Sequence, residues 1–242
     1  MENLSDEFLS KQRILIIAPH ADDETFGCAG TISRVKSLGG EVFVVVVSVG
    51  DLKHYDGKKE IVTIDTRMDE LQKVMKFLNV DDYDVLYRST DLHERLDTIP
   101  RRDMIDKLEQ SGKLAMDKIK PTIVAIPAIS YNQDHEAVFR AGLTACRPGV
   151  RELKHFQPIV LAYDNTALFW SLEREKFHPN FYVDISEFLD DKLSALSYYK
   201  SQLKPGEFHH SGLENVRNTA LARGREISTQ AAEGYMCLRF VT

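Results

Sequence analysis

The chain has 242 residues, of which 43% are hydrophobic and 28% charged, so it can bury a sizeable core and has an ordinary globular composition. Its 31 basic and 37 acidic residues leave a net charge of −6, which argues against nucleic acid or an anionic membrane as the main partner. No apolar run reaches membrane-spanning length, and the three cysteines have no paired spacing. We therefore expect a cytoplasmic protein with reduced thiols and no membrane insertion.

Strand-like and helix-like segments alternate over the first two-thirds of the chain. Runs of β-branched and aliphatic residues predict buried strands at 13–18, 41–48, 84–87 and 122–127. Helical periodicity and stop signals such as Gly39-Gly40 predict helices at 25–38, 60–78, 98–118 and about 135–146. This alternation predicts right-handed crossovers and a parallel sheet with helices on both faces.

The last third of the chain has a different pattern. It predicts strands at 158–163, 180–184 and 233–241, and helices at 185–201 and 211–225. No Pro-, Gly- or Ser-rich linker and no internal repeat divides the sequence. We therefore predict a single α/β domain over 1–242, with a mostly parallel sheet over about 13–150. The remaining part, about 151–242, is expected to form an appendage that helps to wall the site.

A cluster of charged residues follows the first predicted strand without a spacer. The segment Pro19-His20-Ala21-Asp22-Asp23-Glu24 lies between that strand and a helix of small apolar residues, at the carboxyl edge of the predicted sheet. Ligand crevices form at this edge of open α/β sheets. Three carboxylates and an imidazole this close repel or compete with one another unless a cation lies among them, so the cluster indicates a divalent metal site.

A catalytic zinc site needs three protein ligands and an open position for water. His20 and Asp23 are spaced so that their side chains can converge, and His135 is the only other histidine at a predicted strand end. Asp22 is then free to take a proton from a water whose pKa the metal lowers. These parts predict metal-assisted hydrolysis of a carbonyl or amide.

Other interpretations of the same residues stay open. Asp22, Asp23 and Glu24 also suit a helix N-cap with an acidic first turn, and His135 alone suits a solvated loop. A magnesium phosphate site uses similar carboxylates but does not favour two histidines. The sequence has no glycine-rich phosphate loop and no GxSxG nucleophile motif.

The motifs resemble those of the PIG-L/LmbE-like zinc de-N-acetylases. The first cluster is similar to their (A/P)HPDDE signature, and Asn132-Gln133-Asp134-His135-Glu136-Ala137-Val138 is similar to their second motif, HxDHxxV. Arg67-Met68-Asp69-Glu70-Leu71 resembles their R-x-x-E-L helix. The resemblance extends to the C-terminal pattern of the bacterial LmbE-like branch at 181–186, Lys192, 200–202, Arg223-Gly224 and Ala232-Glu233.

The resemblance implies a Rossmann-like, three-layer α/β/α fold with Zn²⁺ held by His20, Asp23 and His135. It also implies hydrolysis of the acetamide of an N-acetylglucosamine-type sugar or conjugate to a free amine and acetate, with Asp22 as general base. Arg67 then lies where relatives contact sugar hydroxyls; the alternative is a helix-surface arginine paired with Glu70. Relatives are often oligomers, so a homo-oligomer is a further expectation.

Two residues depart from the family pattern. Ala21 replaces a proline, and Asn132 replaces the histidine thought to stabilise the oxyanion or protonate the leaving amine in relatives, where Asp134 orients it. An Asn amide donates a hydrogen bond but no proton at pH 7, so Asp22 is expected to return the proton unless His209 or His210 reaches the site. Glu24 is expected at the helix start rather than among the ligands.

Two alternative functions stay open. One is a deacylase that cleaves another amide or ester on the same metal site, in a sugar-nucleotide, antibiotic or thiol-conjugate substrate. The other is a non-catalytic sugar- or nucleotide-binding relative, favoured by Asn132 but not by an intact set of His20, Asp22, Asp23 and His135.

Overall fold

The computed structural model describes residues 4–53, 61–165, 177–203 and 211–242. Seven strands form the main sheet, and two short strands form an antiparallel pair. The strands are β1 (Arg13–His20), β2 (Glu41–Val49), β3 (Leu52–Lys53), β4 (Ile61–Val62), β5 (Asp82–Arg88), β6 (Ile123–Pro127), β7 (Ile159–Tyr163), β8 (Phe181–Asp184) and β9 (Ala232–Phe240).

Eight α-helices lie within the described residues. They are α1 (Leu4–Ser10), α2 (Asp23–Ser37), α3 (Ile64–Phe77), α4 (Arg101–Asp106), α5 (Met116–Ile119), α6 (Gln133–Ala145), α7 (Leu189–Ser197) and α8 (Leu213–Glu226). None of these helices has the length and apolar character needed to cross a membrane.

The sheet is mostly parallel, as the sequence predicted. Its strand order is β5-β2-β1-β6-β7-β9-β8, and the first five strands pair in parallel. β9 is antiparallel to both β7 and β8, so the C-terminal part of the chain extends the same sheet. The strands that follow β1 in the chain are added first on one side of it, as β2 and β5, and then on the other, as β6 and β7. Open α/β sheets form a ligand crevice at such a switch point.

Helices cover both faces of the sheet because the side chains of β1 alternate between two buried clusters. Ile14, Ile16 and Ala18 pack with residues of α2, α3, α7 and α8 on one face. Leu15 and Ile17 pack on the other face with residues of α4 and α6. Burial of each such aliphatic side chain contributes about 1.5–3 kcal/mol to the stability of the fold. These contacts hold β1 in place and so fix the position of His20, its last residue.

Three predicted helices differ from the structure. The helix predicted at 60–78 begins only at Ile64, as α3, because Ile61–Val62 form the short strand β4. The segment predicted as one helix at 98–118 is divided into α4, a π-helical turn at Lys107–Ser111 and α5. Gly112 ends the π turn by donating its N–H to the Lys107 carbonyl and then adopting an extended backbone. The helix predicted at 185–201 begins as a 3₁₀ turn at Ser186–Phe188, and its α-helical part, α7, ends at Ser197.

Candidate metal centre

The turn between β1 and α2 holds Asp22 in a backbone conformation that is rare for a residue with a side chain. Asp22 has φ 142° and ψ −32°. The buried Glu24 carboxylate supports this turn, because its Oε2 accepts a hydrogen bond from the Asp22 N–H at 3.1 Å. The hydroxyl groups of Tyr199 and Thr25 donate to Glu24 Oε1 at 2.6 and 2.7 Å. Local strain of this kind concentrates at functional sites.

The Asp22 carboxylate is not used to cap the helix. Asp22 occupies the N-cap position of α2, but its side chain makes no capping hydrogen bond. Burial and the neighbouring Asp23 charge raise the pKa of Asp22 well above its usual range, while the charges of Arg67 and His20 oppose this rise. A carboxylate in such an environment holds a proton more readily than an exposed aspartate does.

The three predicted metal ligands converge at the carboxyl edge of β1 and β6. His20 Nδ1 lies 3.4 Å from Asp23 Oδ2, and His135 Nε2 lies 3.3 Å from the same oxygen. One potential ligand atom from each of His20, Asp23 and His135 lies within 4.8 Å of the other two. Two imidazoles and one carboxylate in this geometry are a donor set that suits Zn²⁺ and leaves a coordination position for water or substrate.

The two carboxylates beside His20 favour positive charge at this site. Burial raises the pKa of Asp23, but the charges and hydrogen bonds of His135 and His20 outweigh burial and hold the pKa below its usual range. Burial lowers the pKa of His20, yet its hydrogen bonds to Asp134 and Asp23 and their charges outweigh this effect and raise the pKa to about 9. The site therefore attracts positive charge, and in the absence of a metal a proton on His20 supplies it.

Asp134 fixes the orientation of the His20 ring. Its buried carboxylate accepts a hydrogen bond from His20 Nε2 at 2.8 Å through Oδ2 and one from the Leu96 N–H at 2.8 Å through Oδ1. With Nε2 occupied, Nδ1 is the nitrogen of His20 that faces the triad. The Asp134 carboxylate thus orients a candidate metal ligand, and neither of its oxygens bonds the side chain at position 132.

Asn132 begins helix α6 and so places His135 in the site. Its side-chain Oδ1 accepts hydrogen bonds from the N–H groups of Asp134 at 2.9 Å and His135 at 3.3 Å. This N-cap occupies the amide oxygen and leaves the Nδ2 donor for other partners. The ring of His135 contacts Asp23 through Nε2, and its buried Nδ1 has no hydrogen-bond partner among the described residues.

Arg67 lies inside the protein and not on a helix surface. Only 2% of its surface is exposed, and its Nη1 donates to His93 Nε2 and to the Gly50 carbonyl at 3.4 Å. Glu70, the alternative partner, instead accepts hydrogen bonds from the Ser201 N–H and hydroxyl at 2.9 and 2.5 Å. The interpretation of Arg67 as a surface residue paired with Glu70 is therefore wrong.

Sequence reasoning missed His93 as a residue of this site. His93 follows β5 by five residues, its side chain is buried, and its ring packs edge-on against His20 with 5.0 Å between ring centroids. Its position at the carboxyl edge was the only available signal, because no local motif marks it. The histidines proposed as an alternative proton source, His209 and His210, lie outside the described residues, as does most of the loop at 51–59.

The fold and this site define an open α/β protein with a candidate metal centre of the hydrolase type. The family model for PIG-L, described as GlcNAc-PI de-N-acetylase, matches residues 15–146, which is more than half of the chain. The chain therefore belongs to the PIG-L family, and the resemblance seen in its motifs is confirmed.

Individual relatives agree with this assignment. The chain is 26% identical over 198 residues to a probable N-acetyl-alpha-D-glucosaminyl L-malate deacetylase 2 of Bacillus cereus, covering 79% of this chain and 84% of the relative. Among solved structures, the conserved protein TT1542 from Thermus thermophilus matches with a TM-score of 0.74 and 25% identity, over 96% of each chain.

A third match shows that the fold alone does not select a reaction. GalB, the 4-carboxy-2-hydroxymuconate hydratase from Pseudomonas putida KT2440, has a TM-score of 0.72 and 19% identity to this chain, covering 96% of this chain and 98% of GalB. The activity of the present protein must therefore be argued from its site and not from its fold.

Proposed function

We propose that this protein is a Zn²⁺-dependent N-deacetylase that hydrolyses the acetamide of an N-acetylglucosamine-type sugar or sugar conjugate. The observation that carries the proposal is the convergence of His20, Asp23 and His135 beside Asp22, a carboxylate that makes no capping hydrogen bond. Amide hydrolysis by a metal-activated water requires three ligands of this type and a general base that is free to accept a proton.

Zinc bound to the triad would supply Lewis acidity, which lowers the pKa of a water ligand toward 7 and polarises the amide carbonyl. Asp22 accepts the proton of the attacking water in our mechanism. The raised pKa of Asp22, caused by burial and by Asp23, lets the same carboxyl group return that proton to the nitrogen of the leaving amine. This step cleaves the C–N bond and yields acetate and a free amine.

Asn132 and Arg67 serve the same reaction in our proposal. The Asn132 amide can donate from Nδ2 to the oxygen that gains negative charge as the tetrahedral species forms, because only its Oδ1 is used for capping. Arg67 can hold oxygen atoms of the sugar in a fixed geometry, since a guanidinium presents several donors in one plane.

The family assignment and the Bacillus cereus relative support an amino-sugar substrate. The family description names GlcNAc-PI, and the relative's name specifies an N-acetylglucosaminyl malate. These two names share the N-acetylglucosamine unit and differ in what is attached to it. We therefore assign the sugar as the recognised unit, with another amide or ester of a sugar conjugate as the alternative substrate.

Acetate release from a panel of N-acetylated sugars and conjugates, measured with and without a zinc chelator, tests this proposal. We expect acetate and free amine in equal amounts from at least one N-acetylglucosamine derivative, with loss of the reaction in chelator and recovery on adding zinc. Zinc binding without acetate release from any amide on the panel would contradict it and favour a binding protein or a hydratase.

Replacing His135 tests the ligand assignment within the same assay. We expect His135→Ala to lose most of its bound zinc and its activity together, because two protein ligands hold the ion far more weakly than three. Full zinc occupancy in this variant, measured by metal analysis, would remove His135 from the ligand set.

A further inference from the structure

The guanidinium group of Arg67 is anchored through one of its three nitrogens. Among the described residues, its hydrogen-bond partners are His93 Nε2 and the Gly50 carbonyl, and both contact Nη1. Nε is buried and has no partner in this part of the chain. The edge formed by Nε and Nη2 therefore carries two roughly parallel N–H donors that make no hydrogen bond to a described residue.

The donors and acceptors around His93 require a single tautomer. A guanidinium only donates hydrogen bonds, so His93 Nε2 must be the acceptor and the proton of the neutral ring must be on Nδ1. That Nδ1–H points to Ser48 Oγ at 3.0 Å, and the Ser48 hydroxyl then donates to the Pro19 carbonyl at 3.5 Å. The resulting chain of hydrogen bonds runs from β1 through β2 to Arg67.

The backbone at Gly50 is shaped to bring these residues together. A Cβ atom at Gly50 would lie 2.6 Å from the Cβ of His93, a distance that side chains do not tolerate. Glycine at this position therefore lets the loop that carries His93 pack against the end of β2. Ser48, Arg67 and His93 are each no more than 5% exposed, so the arrangement is held away from competing water.

We propose that His93 is a positioning residue for Arg67. Ser48 fixes the His93 tautomer with the proton on Nδ1, the ring then anchors Nη1 of Arg67, and the Nε–Nη2 edge of the guanidinium is thereby directed toward two neighbouring hydroxyl groups of the sugar. This inference rests on the proposed function and extends it, because it assigns a source of substrate specificity. The ring of His93 packs on the candidate ligand His20, and the charge of Arg67 acts on Asp22, so the guanidinium group of Arg67 lies near the reaction centre.

A kinetic comparison of three variants tests the proposal on the zinc-loaded protein. His93→Leu removes the acceptor, whereas His93→Gln keeps an oxygen that can accept from Arg67. With a methyl glycoside of N-acetylglucosamine as substrate, we expect His93→Leu to raise KM roughly tenfold or more with a smaller change in kcat, and His93→Gln to recover most of the loss. Ser48→Ala, which removes the hydroxyl that fixes the His93 tautomer, should also raise KM, but by a smaller factor than His93→Leu.

Controls separate positioning from support of the metal. His155→Gln is the matched control, since His155 lies near the opposite edge of the sheet and bonds the Pro121 carbonyl at 2.8 Å; it should leave kcat and KM unchanged. Zinc content should stay at the wild-type value in every variant. Equal losses in the Leu and Gln variants at position 93, or losses that follow zinc content, would overturn the proposal.

Repeating the measurement with the malate glycoside separates the sugar from its attached group. We expect the same relative rise in KM for both substrates, because the recognised hydroxyl groups belong to the sugar. A rise confined to the malate glycoside would overturn the assignment to sugar hydroxyls, since it would place a carboxylate on the Arg67 edge.

The tautomer of His93 provides a readout that does not depend on activity. In two-bond ¹H–¹⁵N spectra of zinc-loaded protein with labelled histidine, the signal absent from His93→Gln should show a protonated Nδ1 and an unprotonated Nε2 at pH 7. A protonated Nε2 or an imidazolium would overturn the proposal even if acetate release is observed. If no sugar releases acetate, the proposed function fails while this spectrum still decides the role of His93.

Discussion

Replacing Asp134 by asparagine tests how the site prepares His20 to bind a metal. The wild-type carboxylate accepts two hydrogen bonds, one on each oxygen: from His20 Nε2 and from the Leu96 N–H, both at 2.8 Å. Asparagine has one oxygen and therefore cannot accept both. If its oxygen bonds Leu96, its NH₂ group faces His20 and favours the tautomer with the proton on Nδ1, the nitrogen that faces Asp23.

The magnitude follows from the loss of this orienting hydrogen bond. Replacing a carboxylate that orients a metal-bound histidine lowers metal affinity by roughly 10- to 100-fold, which corresponds to about 1.4–2.7 kcal/mol. If the asparagine oxygen turns to His20 instead, a buried donor at Leu96 loses its partner, which costs about 1–3 kcal/mol in folding free energy. We therefore expect Asp134→Asn to weaken zinc binding, folding stability or both.

Competition between the protein and a chromophoric zinc chelator measures the affinity, and urea unfolding of the zinc-free protein measures the stability. Asp117→Asn is the matched control, because the Asp117 carboxylate accepts one hydrogen bond, from the His155 N–H at 2.9 Å, which an asparagine oxygen can replace. Wild-type zinc affinity and wild-type stability in Asp134→Asn, with the control also unchanged, would refute this reasoning.

Three further predictions follow from the charges of the site and of the core. Asp22→Asn should keep its zinc and lose about 10²- to 10⁴-fold in kcat, because asparagine cannot accept the proton of water; a near wild-type rate would show that another group is the base. Zinc affinity of the metal-free protein should rise about tenfold per pH unit between pH 6 and 8 and level off near pH 9, because the pKa of His20 is raised to about 9 and zinc must displace its proton; a flat profile in competition titrations over this range would contradict it. Lys192→Met should lower the free energy of unfolding by about 3–5 kcal/mol, because it leaves buried Glu233, now 2.5 Å from Lys192 Nζ, without its cation; a loss below about 1 kcal/mol in urea unfolding would disagree.

The convergence of the candidate metal ligands could be predicted from the sequence, because the signals for it are local. An unbroken aliphatic run ends at His20, so both the strand and the position of the following cluster could be read directly from the residues. Because the carboxyl ends of β1 and β6 meet at one edge of a parallel sheet, His135 could be assigned to the same site across more than a hundred residues. Those assignments required only strand periodicity and the topology that it implies.

The missed features depend on tertiary contacts. His93 comes from an irregular loop, and its role follows from contacts with Arg67 and Ser48 that no spacing rule predicts. The hydrogen bonds of the Asp134 carboxylate to His20 and to the Leu96 N–H were also missed, because they join residues far apart in the sequence. The π turn after α4 was also missed, because helical periodicity does not distinguish a continuous helix from one that ends at Gly112.

Titration of acetate release with zinc tests the central claim most directly. Metal-free wild-type protein and Asp22→Asn would each receive increasing zinc in the presence of an active N-acetylglucosamine derivative, with bound metal measured in parallel. We predict that wild-type acetate release rises linearly to a plateau at one zinc per chain, while Asp22→Asn binds one zinc and releases almost no acetate. Acetate release by the wild-type protein without bound metal, or equal rates in the two proteins at one zinc per chain, would contradict the account.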